Sequence, residues 1–215
     1  MAALGNLSVV RRIVVVALLV LIFLPSVVSA QQSPLYVGGT LNLVTQSHSD
    51  AEALGGTARG GSVLFGVQVS RRIAVEFEPS FGGPYVWEYT YNPGPSRTAH
   101  VVASRRDSFY SFQLRTRVGV LEPVVGVSYV HGRIGRHATI GSTTYFDDSR
   151  SDDGLAVVGG LDVAVKATSH FYFVPTFRLL ARLGRTGDSS GDPLGEQTRT
   201  GLFAFRYGAG VRVTF

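Results

Sequence analysis

Cysteine is absent from the 215 residues, so neither a disulfide staple nor thiol chemistry is available. Lysine is nearly absent as well: Lys166 is the only one. The formal charge of +5 is therefore carried by arginine, and the arginines are scattered. Arg71 with Arg72 and Arg105 with Arg106 are isolated pairs that read as turn and loop residues, a pattern that argues against nucleic-acid binding. Helix-forming runs are scarce after the first segment while glycine numbers 26, and both features point to a β-rich chain.

The first segment stands apart. Arg11 and Arg12 precede an apolar run over 13–24, followed by Pro25, Ser26 and the small-residue stretch Val28-Ser29-Ala30. This is the pattern of a secretory signal cut after Ala30, which divides the chain into a signal peptide (1–30) and a mature domain (31–215). The competing reading is an uncleaved anchor helix, but an anchor needs about 20 apolar residues and Pro25 breaks this run. Removing Arg11 and Arg12, with no acid in the segment, takes the formal charge from +5 to +3.

What the mature chain has is alternation. Over 202–215, Phe203, Phe205, Tyr207, Ala209, Val211, Val213 and Phe215 fall on one face, and Leu202, Ala204, Arg206, Gly208, Gly210, Arg212 and Thr214 on the other. Successive side chains of a strand point to opposite sides, so one face can meet an apolar medium while the other keeps arginines beside glycines. The same period recurs upstream. Leu35, Val37, Gly39, Leu41 and Leu43 alternate with Tyr36, Gly38, Thr40 and Asn42, and Val63, Phe65, Val67 and Val69 alternate with Ser62, Leu64, Gly66 and Gln68. Ile73, Val75, Phe77 and Phe81 oppose Glu76, Glu78 and Ser80, with Pro79 on the outer face at a bulge or strand end. Keeping that phase across Gly82-Gly83-Pro84 adds Tyr85, Trp87, Tyr89 and Tyr91 to the outer face, up to the turn cluster Asn92-Pro93-Gly94-Pro95. Tyr110, Phe112, Leu114, Thr116 and Val118 then face out against Ser111, Gln113, Arg115 and Arg117. Three further strands follow around Val125 and Val127, around Leu155 to Val165, and around Phe171 to Ala181, before the closing strand. Long polar segments at 46–61, 132–154 and 184–200 rotate with short turns at 70–72, 119–122 and 167–170, giving about eight strands.

A chain closing on such a strand, with Phe215 last, resembles the bacterial outer-membrane β-barrel proteins, whose final strand typically ends in an aromatic residue read by the assembly machinery. In size it is similar to the small OmpA-like and opacity-protein-like barrels. The resemblance covers the mature chain by pattern and length. It implies an all-β fold, an eight-stranded antiparallel up-and-down transmembrane β-barrel in the cell outer membrane. It also implies outer-membrane lipid and the barrel-assembly machinery as partners, with Phe215 as the assembly signal. In that setting the strand carrying Trp87 extends beyond the membrane.

A soluble barrel also alternates, with its apolar set turned inward. Three features favour the membrane orientation. The polar face is lined with small residues such as Gly38, Gly66, Gly126 and Gly160, as suits a narrow lumen. The same face gathers Glu76, Glu78, Arg115, Arg117, Asp162, Arg178, Arg182, Arg206 and Arg212, charges of both signs that must pair in confinement. Finally, long and short connections alternate.

The expected lumen ion-pair cluster therefore comprises Glu76, Glu78, Arg115, Arg117, Asp162, Arg178, Arg206 and Arg212, with Glu76 and Glu78 pairing to Arg115 and Arg117 across one hairpin. It reads first as a stabilising plug and second as a gate. Tyr85, Trp87, Tyr89 and Tyr91 read as an aromatic interface stripe, its outer half open to a partner or apolar ligand. The acidic run at 147–153 lacks the spacing of a calcium loop and reads as a solvated loop. His48 with Ser49 and Asp50, or His131 and His137 with nearby acids, have no spacing that fixes a catalytic set, and His170 lies in a short turn. No catalytic residue, cofactor or metal is expected. The leading functional expectation is a non-enzymatic barrel with a filled lumen, structural or acting on a surface partner through its long loops. The alternatives are a small transporter of an apolar solute and, behind it, a lipid-modifying enzyme.

Overall fold

The computed structural model describes residues 35–47, 57–94, 97–183 and 203–215. The signal-like segment, the stretches 48–56 and 184–202 of two long connections, and His48, Ser49 and Asp50 lie outside these residues. Among the described residues nine strands form one antiparallel sheet: β1 (Leu35–Ser47), β2 (Thr57–Gln68), β3 (Ile73–Gly94), β4 (Arg97–Thr116), β5 (Leu121–Ile140), β6 (Thr143–Val163), β7 (Val165–Lys166), β8 (Phe171–Leu183) and β9 (Phe203–Thr214). β1 pairs with β9 and β6 with β8, so the sheet closes on itself. β6 and β7 are one stave: Asp162 pairs with Thr176 and Val165 with Phe173 in a single register. That register sets Val163 opposite Pro175, which has no N–H to give the ladder. The result is an eight-stranded up-and-down barrel whose lower staves are paired all the way round the ring.

Three tight turns close one end. At Ser70–Arg72 the Ile73 N–H reaches the Ser70 hydroxyl at 3.1 Å, and the amides of Val69 and Ser70 donate back to the Ile73 carbonyl. Gly119 takes φ 66° in the turn bridged by Val118 and Leu121, and the third turn closes through Ala167 and Thr168 onto the Phe171 carbonyl. These match the short connections read from the sequence.

At the opposite end the staves are unequal. β1, β2, β8 and β9 have 12 or 13 residues, while β3, β4, β5 and β6 have 20 to 22. A spanning strand needs about 9 to 11 residues, so the second set runs on as a four-stranded projecting sheet. The segment 132–154, expected as a loop, is instead the upper half of a hairpin that turns at Gly141 (φ 61°). Arg105 and Arg106, expected in a turn or loop, lie on β4 for the same reason.

The faces follow the two-residue period. Leu41, Val63, Phe65, Leu114, Val125, Val157, Phe173, Tyr207 and Val211 are exposed on the outside, and the charged and small residues turn inward.

Candidate functional site: the filled lumen and the projecting sheet

Four acids, Glu76, Glu78, Glu122 and Asp162, and four arginines, Arg115, Arg178, Arg206 and Arg212, are buried together in the lower lumen. β3 aims Glu76 and Glu78 inward because they share the phase of Ala74 and Ser80, opposite to that of Val75 and Phe77. Arg115 is held by three carboxylates: its Nε lies 2.7 Å from Glu76, one terminal nitrogen 2.6 Å from Glu122, the other 2.8 Å from Asp162. Arg178 binds Asp162 through both terminal nitrogens and has Glu78 at 3.5 Å from its Nε. Arg206 reaches Glu78 at 2.6 Å and donates to the Ser80 hydroxyl, and Gln113 donates to Glu78 at 2.7 Å. Arg212 donates to Glu122 at 2.7 Å. The Tyr36 hydroxyl binds Glu76, and the guanidinium groups of Arg115 and Arg212 lie 5.8 and 5.3 Å from the centre of its ring.

Equal numbers of charges satisfy the condition for burying them, because each ion meets an opposite partner and hydrogen bonds besides. The small residues supply the room. A Cβ on Gly66 would come within 2.0 Å of the Tyr36 ring, and one on Gly160 within 2.7 Å of the Arg178 side chain. The space left between Gly38, Glu78, Asp162 and Arg178 is about 10 Å³, roughly one water.

Seven of the eight residues expected in this cluster come together in it. Arg117 sits at its rim, 40% exposed, 3.3 Å from Glu122 and with Tyr172 beneath its guanidinium. The expected hairpin pairing is corrected in part. Arg115 does bind Glu76, but Glu78 is bound across the lumen by Arg206 and Arg178, since Glu78 stands opposite Ser111, not an arginine. Glu122 was not among the expected members because it adjoins the Gly119 turn; β5 begins one residue earlier and already points it inward. Below the cluster the lumen opens into a mouth of about 300 Å³ lined by Tyr36, Arg72, Arg117, Lys166 and Tyr172.

Above the ions the lumen changes character. Val44, Ala58, Phe109, Val130, Ala156, Val158, Leu180 and Ala204 pack with Tyr85 into an apolar tier, topped by the buried pair Arg105–Asp107 at 2.8 Å. Tyr85 is thus not an interface aromatic: it is 6% exposed, while Val86 is 60% exposed. The cause is a bulge. Gly82 pairs with Asp107 and Tyr85 with Arg105, so Gly83 and Pro84 together oppose Arg106 and the inner and outer phases exchange. Trp87, Tyr89 and Tyr91 pair along the backbone with Ala103, Val101 and Ala99; their side chains lie outside the described ones. On the outer face of β4 and β5, Tyr110 and Tyr129 stand directly opposite each other with ring centroids 6.4 Å apart. The terminal Phe215 is exposed, and its amide donates to the Leu35 carbonyl at 3.1 Å across the β9–β1 seam.

The projecting sheet carries three histidine–carboxylate pairs: His100 with Glu88 at 3.3 Å, His131 with Asp153 at 2.5 Å and His137 with Asp147 at 3.8 Å. Asp147 and Asp153, from the acidic run expected in a loop, stand on β6. Register sets His131 between Ser108 and Asp153, yet among the described residues no hydrogen bond joins Ser108 to His131. His170 is held in its turn by the Thr214 carbonyl at 3.1 Å.

No family model matches the chain, and no curated protein matches it in sequence. Solved structures do. Ail, the attachment invasion locus protein of Yersinia pestis, is 10% identical over 86% of this chain and 100% of its own, with a TM-score of 0.53. A major outer membrane protein from Thermus thermophilus is 10% identical over 84% and 99%, with a TM-score of 0.54. The fold is that of the small outer-membrane β-barrels. Identity this low carries the architecture and nothing about ligands, so the functional reading has to come from the plugged lumen and the projecting sheet.

Proposed function

We propose that the protein is a non-enzymatic integral outer-membrane barrel with a sealed lumen, which meets a partner through the projecting β3–β6 sheet. The observation that carries this reading is the surplus length of those four strands. Strands of 20 to 22 residues exceed what a bilayer requires by about ten, and the surplus is built as paired sheet. Export through a cleaved signal, insertion by the barrel-assembly machinery and recognition of Phe215 belong to the same proposal. The exposed apolar belt supports a lipid environment, because a lipid-facing strand surface must be apolar and the barrel leaves no open edge. The short turns then lie in the periplasm and the sheet outside the cell.

Transport of an apolar solute is the reading the geometry favours less, since the eight-charge cluster and an apolar tier fill the lumen above its lower mouth. The test is a shortened barrel in which Val86 is joined to Ser104, and Arg133 to Ser151, through two-residue Asn-Gly turns. Both are directly opposed pairs, so the hairpins close in register. Cells displaying the full chain should adhere to an epithelial monolayer, cells displaying the shortened one should not, and neither should pass current in planar bilayers. Equal adherence, or current through the full chain, would overturn the proposal.

A further inference from the structure

Resting on the membrane reading above, we infer that Arg106 and Arg133 form a clamp for the phosphate of a membrane-lipid headgroup. Register orders the outer face of β4, β5 and β6 into rows. From the barrel upward these are Phe112–Val127–Val157, Tyr110–Tyr129–Leu155, Ser108–His131–Asp153 and Arg106–Arg133–Ser151. The outer face thus passes from apolar to aromatic to polar to cationic within six residues of strand. Paired tyrosines at the end of an apolar belt mark the boundary between hydrocarbon and headgroups. The arginine row stands four residues beyond them, about 10 Å along the membrane normal for a strand tilted by roughly 40°. The headgroup layer extends about 5–7 Å past the hydrocarbon, and an arginine stem can bend that far back toward it.

Among the described side chains the row also lacks an anion of its own. Arg106 and Arg133 are directly opposed, both exposed, and neither has an ion-pair partner among the described residues. Like charges directly opposed on a sheet destabilise it, and the row offers no relief. Beyond Arg106 stands the Gly83–Pro84 bulge and beyond Arg133 stands Ser151. The nearest acid on that face, Asp153, is closed onto His131 at 2.5 Å. A phosphate between the two guanidinium forks removes the repulsion and is met bidentately from both sides. Ser108 and Ser151 are the neighbouring hydroxyls on the same face. The bulge that turned Tyr85 into the lumen therefore has a second effect: it keeps the β3 side of the cationic row free of acidic side chains.

The experiment uses the full mature chain in dodecyl maltoside micelles, with dodecyl phosphate added at a few mole per cent and inorganic phosphate as a separate arm. Binding is followed by phosphorus NMR and by the midpoint of thermal unfolding. The expected result is a rise in the midpoint with dodecyl phosphate, weak or absent with inorganic phosphate. The R106Q/R133Q double variant should bind dodecyl phosphate about 30-fold more weakly, from two surface arginines. In pure maltoside that variant should melt no lower than the parent, since it loses only a repulsion. An R71Q/R72Q variant, equal in charge but placed in a turn at the other end, should bind like the parent. Equal dodecyl phosphate binding by R106Q/R133Q and the parent would overturn the clamp, as would a stabilisation matched by inorganic phosphate. Failure of the membrane reading itself shows separately, as a chain with no mobility difference between unheated and boiled samples.

Discussion

The projecting sheet continues strands β3–β6 of the lower barrel, and the two regions obey different constraints. In the lower barrel the buried side chains answer one another: four acids against four arginines, Tyr36 against Gly66, Arg178 against Gly160. In the projecting sheet the outward side chains are mostly polar, and several pairs are exposed histidine–carboxylate contacts. Buried ions forfeit their hydration and must be answered by partners, whereas exposed ions keep water as an alternative. The first region is therefore committed to stability, and the second carries no such commitment.

That contrast can be broken from its strongest point downward. Arg115→Ala leaves Glu76, Glu122 and Asp162 short of a cation and is expected to cost about 3–5 kcal/mol of unfolding free energy, read by urea titration of the folded band. Arg117→Ala, at the half-exposed rim of the same cluster, should cost under about 1 kcal/mol in the same titration. Equal losses would mean that burial does not set the value of these pairs. Gly66→Val drives a side chain into the Tyr36 ring, with an expected loss of about 1–3 kcal/mol measured the same way. Smallest is His131→Ala in the projecting sheet, where removal of an exposed contact should shift stability by no more than about 0.5 kcal/mol. A larger loss there would give the upper sheet a structural role it lacks in this account.

Sequence reading reached the lower barrel because its signal is periodic. Phe203 to Phe215, Leu35 to Leu43 and Tyr110 to Val118 each repeat every two residues, and a buried face against an apolar one makes that period strong. Seven cluster members followed from phase alone. What the period cannot carry is a change of phase: Gly83-Pro84 reads as a pause, yet the two residues act as one in the ladder, and Tyr85 moves from outside to inside. Nor can it find strands that are polar on both faces. Between Gly132 and Gly154 only Ile134, Ala138, Ile140, Tyr145 and Phe146 interrupt polar residues and glycine, so the hairpin resembled a loop. The pairing of Glu78 with Arg206 was equally out of reach, because it joins residues 128 apart across the lumen and depends on the closed ring.

The most direct test of the division between a self-sufficient barrel and a surplus sheet is electrophoresis of the shortened chain, with Val86 joined to Ser104 and Arg133 to Ser151, before and after boiling. If the eight lower staves and their ion cluster hold the fold, the unheated sample runs as a compact band that shifts on boiling, the behaviour expected of the full chain. A shortened chain that runs identically with and without boiling, while the full chain shifts, would show that the projecting sheet is part of what holds the barrel closed.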